Sequence, residues 1–195
     1  MAWNRDHVSP DKRIGAALGP ESTDGPQTQE TALLWSIIAM RETTERLGKV
    51  RARDRPQAFA VIGEAVWWVT IVDATLVRYH PEAYDRALAG LPTAQRLVTE
   101  GTFAGLRFVR NRMGYHADHS DFIQPLAGTD GDGDAPITDW TWKTLPAPSM
   151  ESMGPRGQAW EMSRYRCYQN RLAGHTVGET FELAAAFLTL FVRLN

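Results

Sequence analysis

The amino-acid sequence predicts an all-α protein, a bundle of four to five main helices with a short extended or hairpin-like insertion before the last helices. Three observations lead there. Apolar residues recur at three and four positions along most of the chain, the repeat of a helix face. Two runs, 58–77 and 179–194, are apolar on nearly every side, as helices at the centre of a bundle are. Only one stretch, 137–145, alternates with the two-residue period of a strand. At 195 residues a single domain is expected, spanning 27–195 behind a tail at 1–26.

The tail is polar, rich in Gly, Pro, Ser and Asp, and without period, which predicts a mobile segment. The first helix runs from Thr28 to about Val50, with Leu33, Leu34, Ile37, Ile38, Met40 and Leu47 on a broad apolar face. It ends in Arg46, Lys49, Arg51, Arg53 and Arg55. Cations suit a helix C-terminus, so this reads either as a solvated helix end or as a contact for an RNA backbone.

Pro56 marks the start of the second helix. Its run from Ala58 to Val77 is long enough for a membrane span, but Glu64 and Asp73 interrupt it, and carboxylates deep in a bilayer are costly. A central bundle helix, or one covered by a second subunit, is the reading. The two carboxylates are nine residues apart and face opposite ways. Each needs a partner if buried, and the arginines at 107–112 are the natural supplier for one, as structural ion pair, as support for a functional arginine, or both. Trp67 and Trp68 read as core or interface aromatics, or less favourably as a platform for a base. His80-Pro81 closes this helix and a short helical piece follows to Leu88.

Gly90-Leu91-Pro92 is a turn, and Thr93 can cap a helix over 94–113. Phe103, Leu106, Val109 and Met113 line one face of it, while Arg107, Arg110 and Asn111 lie off that stripe. Gly114 is suited to end the helix in a left-handed turn. A break there would fold His116 back beside Arg110 and Asn111, which an unbroken helix would hold on another side. A guanidinium, an amide and an imidazole around one volume suit a phosphodiester, because arginine grips phosphate oxygens with a planar fork and histidine moves protons near neutral pH.

Residues 126–155 interrupt the helical pattern. Gly128 to Asp134 is an acidic loop that lacks the final glutamate of a calcium loop. In the alternating stretch Ile137, Asp139, Thr141 and Lys143 share one side, Trp140 and Trp142 the other. Helices over 157–172, carrying Arg164, Arg166 and Arg171, and over 179–194 close the chain. His116, Asp118, His119 and Asp121 match no strong metal motif, and neither a metal nor a cofactor is expected.

Net charge is -2, so any nucleic-acid site must be a local patch. The single cysteine, Cys167, rules out an internal disulfide and fits a reducing, cytoplasmic compartment. Of the 21 basic residues only Lys12, Lys49 and Lys143 are lysine, a bias that raises the background of arginine-containing motifs.

Arg110-Asn111-Arg112-Met113-Gly114-Tyr115-His116 resembles the mark of the HEPN family, an arginine followed after four to six residues by histidine, with a polar residue directly after the arginine. Arg112 and His119 form a second formal match. The segment Glu64 to Asp73, and Tyr168 to Gly174 with the helix after it, look like actinobacterial-type members. The resemblance covers roughly 28–195 apart from the acidic loop. It implies a HEPN-like helical bundle and a metal-independent endoribonuclease of toxin–antitoxin or antiphage systems, leaving a 2′,3′-cyclic phosphate. It further implies a homodimer with a shared cleft and a cognate antitoxin as partner. Carried over, His116 handles protons, Arg110 binds the scissile phosphate and Asn111 orients either. Arg107, Arg112 and Tyr115 become RNA contacts, with Glu64 and Asp73 in support. A non-catalytic binding or regulatory module on the same bundle is the alternative.

Overall fold

In the computed structural model, residues 26–52, 55–115, 122–125, 135–149 and 153–193 are described. The tail reading at 1–26 falls almost wholly outside them, as does the acidic loop. Six α-helices are present among the described residues: α1 (Pro26–Leu47), α2 (Arg55–Tyr79), α3 (Pro81–Ala89), α4 (Thr93–Tyr115), α5 (Pro155–Arg171) and α6 (Val177–Leu188). A 3-10 turn (Thr189–Arg193) extends α6. The protein is an all-α bundle. The chain divides into two compact units, Met1–Ala32 and Leu33–Asn195, so the boundary falls inside α1. All packing described below belongs to the second unit.

The core of that unit is built where the apolar repeats place it. From α1 it takes Leu33, Ile37, Met40 and Leu47; from α2, Ile62, Val66, Val69, Val72 and Leu76; from α6, Phe181, Ala184, Phe187 and Leu188. Aromatic rings knit α3, α4 and α6: Tyr84 meets Phe187 at 5.3 Å between centroids, and Phe103 meets Phe187 at 5.7 Å. Helices α4 and α5 approach closely because α4 offers glycine there. A Cβ added at Gly105 would lie 2.7 Å from Leu172 Cδ1 and 3.2 Å from Tyr168 Cα.

α2 is long and apolar enough to cross a membrane: an 18-residue window within Pro56–Tyr79 has mean hydropathy 1.6, and half of that window is buried in the protein. Its break at His80-Pro81 lies where the sequence puts it, and Pro81 opens α3. α6 starts on a capping box: the Thr176 hydroxyl accepts from the Glu179 amide and the Glu179 carboxylate accepts from the Thr176 amide.

The alternating stretch is less regular than a strand. Residues Ile137–Asp139 form a 3-10 turn, and only Thr141–Trp142 is extended. With β1 (Arg51–Ala52), β2 (Ile123–Gln124), β3 (Ala135–Pro136) and β4 (Thr141–Trp142), the pairs are β1 with β3 and β2 with β4, both antiparallel. Among the described residues no hairpin forms within the insertion; β3 and β4 pair with strands outside it. Trp140 and Trp142 do share burial, but Thr141 between them is also buried. The reason is that both sides are covered. The Trp142 indole donates to Thr180 of α6 at 2.9 Å, and the Tyr168 hydroxyl of α5 donates to the Lys143 carbonyl at 2.6 Å. Gly174, at φ 81°, turns the chain between α5 and α6, and its amide donates to the Trp142 carbonyl.

Candidate functional site

The stretch 107–115 is the last part of α4, and the helix does not stop at Gly114. It continues to Tyr115. The expected break at Gly114 is therefore absent. The Met113 side chain occupies the space that Gly63 leaves open on α2, and this contact holds the last turn in place. His116, Asp118, His119 and Asp121 lie outside the described residues, as does the side chain of Tyr115.

The three arginines of the stretch have different environments. Arg107 lies against Asp73 of α2: its Nε donates to Oδ2 at 2.7 Å and its Nη2 makes an ion pair with the same oxygen. Asp73 has no solvent exposure. Its Oδ1 accepts from the Tyr84 hydroxyl of α3 at 2.7 Å. One carboxylate thus ties three helices. Burial and the neighbouring Asp73 charge push the Tyr84 phenol well above its ordinary range, opposed by Arg107.

Arg112 is 4% exposed, buried between α4 and α5. Its Nε lies 3.6 Å from Glu161 Oε1, and its guanidinium stands 5.3 Å from the Phe108 ring centroid. Among the described residues neither Nε nor Nη2, both buried, has a hydrogen-bond partner. Desolvation lowers its pKa, with Glu161 opposing. As a contact for RNA, Arg112 is misplaced: a guanidinium this deep does not meet a phosphate.

Arg110 and Asn111 are half-buried, and Arg110 Nη2 donates to Asn111 Oδ1 at 3.5 Å. They flank Arg107 about one turn further on, roughly 60° to one side and 40° to the other. Of the two supporting carboxylates, Asp73 holds an arginine of the 107–112 stretch as anticipated. Glu64 does not: it is exposed and ion-paired with Arg46 at the end of α1.

Tyr84 and Glu161 are the participants that sequence reasoning misses. Neither carries a local signal, since each finds its partner only through helix packing. Among the described residues no three His, Cys, Asp or Glu side chains gather as a metal site requires. Cys167 is half-buried and its thiol is raised by burial. A cavity of about 250 Å³ between α1 and α6 is lined by Leu47, Val177, Phe181 and Ala185, with Glu45 and Glu182 also on its wall. In comparisons with known proteins, no family model, curated protein or solved structure matches this chain.

Proposed function

We propose that the chain is an endoribonuclease of the HEPN kind, with Arg110, Asn111 and His116 as its working groups. One observation carries this reading beyond the motif. In a stretch where Arg107 and Arg112 are held by buried carboxylates, Arg110 and Asn111 form a bonded pair that is only half-buried. Rigid flanks with a partly exposed guanidinium between them are what a phosphate-binding group needs, because orientation is fixed before substrate arrives.

In this reading Arg110 binds the non-bridging oxygens of the scissile phosphate and stabilises the charge that builds on them. The RNA 2′-hydroxyl loses its proton and attacks phosphorus, the bond to the 5′-oxygen breaks, and that oxygen takes up a proton. His116 serves at one of the two proton transfers. The products are a 2′,3′-cyclic phosphate and a 5′-hydroxyl. Tyr115, the last described residue of α4, stands about 7.5 Å along the helix axis from Arg110.

The test is cleavage of end-labelled RNA by the purified protein and by its Arg110→Ala and His116→Ala variants. Loss of cleavage by at least about 100-fold in both, with unchanged helical circular dichroism, is expected. Cleavage at the unsubstituted rate by both variants overturns the reading. A second reading, a non-catalytic module working through dimerisation or a protein partner, is favoured by a different observation: Leu34, Trp35 and Ile38 of α1 are all exposed, Trp35 at 68%.

A further inference from the structure

Trp67 is 54% exposed on a helix whose neighbouring Trp68 packs against the core. Its place relative to α4 follows from two contacts. Asp73 of α2 meets Arg107 of α4, and Gly63 meets Met113, so the helices run antiparallel. Midway between these contacts, positions 67–68 of α2 are level with Arg110.

The side on which Trp67 emerges follows from helix geometry. From Asp73, Gly63 lies about 80° round α2 and Trp67 about 120°, so Trp67 stands at the solvent edge of the surface that meets α4. The opposite flank, with Ile62, Val69 and Leu76, is in the core. On α4 the flank bearing Gly101 and Gly105 is closed by α5. Round α4, Arg110 falls midway between Arg107 and Met113 and so faces the shallow groove along the α2–α4 seam, with Trp67 at its α2 edge and Asn111 about 40° beyond Arg107 on α4.

We infer that Trp67 is a stacking platform for a nucleobase and that the groove takes single-stranded RNA. This rests on the reading of Arg110 and Asn111 as the phosphate-binding pair. An indole presents a face on which any base can stack, while a guanidinium across the groove holds the adjoining phosphate. A duplex keeps its bases stacked on each other and offers none to a side chain. Charge complementarity favours a polynucleotide here over an apolar protein surface, since the α4 side opposite the indole carries a guanidinium and an amide.

The experiment measures binding of a short 2′-O-methyl single-stranded RNA, which has no attacking hydroxyl, and of the matching duplex. Fluorescence anisotropy is read on the full chain and its Trp67→Ala and Trp67→Phe variants. Single-strand binding should weaken about 5- to 100-fold in Trp67→Ala, the range of a base–aromatic contact, and stay close to the unsubstituted value in Trp67→Phe. Duplex binding should be weak and unaltered. Unchanged single-strand binding by Trp67→Ala overturns the inference. So does an equal loss for duplex, or a loss of self-association with RNA binding intact, which makes the indole a subunit contact.

Cleavage of unmodified RNA separates the two readings. Trp67-dependent binding without cleavage leaves the platform standing and removes the nuclease. Cleavage with Trp67→Ala indistinguishable from the unsubstituted chain does the reverse. No RNA binding by the unsubstituted chain removes both.

Discussion

A carboxylate taken fully out of water is tolerated only when its oxygens are satisfied, and Asp73 meets that condition with donors from two other helices. Removing one partner strips the other of its nearest counter-charge. Asp73→Ala should therefore lower unfolding free energy by about 3–5 kcal/mol in urea titration, because Arg107 loses its counter-charge. Arg110→Ala, at a half-buried site, should cost less than about 1 kcal/mol in the same measurement. Tyr84 gives a pH dependence whose sign can be worked out. Its phenol is raised in the folded state, and so is that of the buried Tyr168, both mainly by desolvation. The unfolded chain releases these protons above pH 10, the ordinary value, while the folded chain keeps them. Their contribution is complete below pH 10 and is lost as pH rises above it, at about 1.4 kcal/mol per pH unit for each phenol. Alkaline melts should show Tyr84→Phe losing stability less steeply than the unsubstituted chain. The pairing of Asp73 with an arginine of 107–112 is legible in the sequence, because an isolated acid in an apolar helix demands a base. The pairing of Arg112 with Glu161 is not, since α5 is polar over most of its length and nothing marks one of its glutamates as buried.

At the scale of elements, the helices are legible because apolar periodicity records which face each one buries. Their boundaries follow from proline at 56, 81 and 155 near three helix starts. The end of α4 is legible only in part. Gly114 can terminate a helix, but that preference is small beside the contact Met113 makes across Gly63. The stretch 137–145 misleads for a related reason: alternation predicts one solvent side, whereas α5 and α6 cover this segment on both. The close approach of α4 to α5 yields a direct test. Gly105→Ala places a Cβ against Leu172 and the backbone of α5 at Tyr168, and the backbone cannot yield as a side chain can. Overpacking of this kind costs about 1–3 kcal/mol, which should appear as a lower midpoint in chemical denaturation. An alanine at Gly154, where a Cβ meets nothing within 4 Å, supplies the control.

For the molecule as a whole, charge is the property that constrains the RNA reading most. The net charge of -2 provides no long-range attraction for a polyanion. Of the arginines near the candidate site, Arg107 and Arg112 each face a buried carboxylate, so neither adds a net charge that RNA can use. Affinity must then come from few phosphate contacts plus stacking, and this has a measurable signature. Each phosphate neutralised on a single strand contributes about -0.7 to the slope of log affinity against log salt. With Arg110 and at most one or two neighbours engaged, a slope of about -1 to -2 is expected for the single-stranded probe in a sodium chloride series. Arg110→Gln should flatten it by about 0.7, whereas Trp67→Ala should weaken binding at every salt concentration and leave the slope unchanged, because stacking releases no counterions. A homodimer with one shared groove, sedimenting at twice 21.8 kDa, would bring two copies of Arg110 to one strand and roughly double the slope. A much steeper dependence that survives Arg110→Gln would locate binding elsewhere, for instance at Lys49 and Arg51 beyond the end of α1, and would detach RNA binding from the α2–α4 groove.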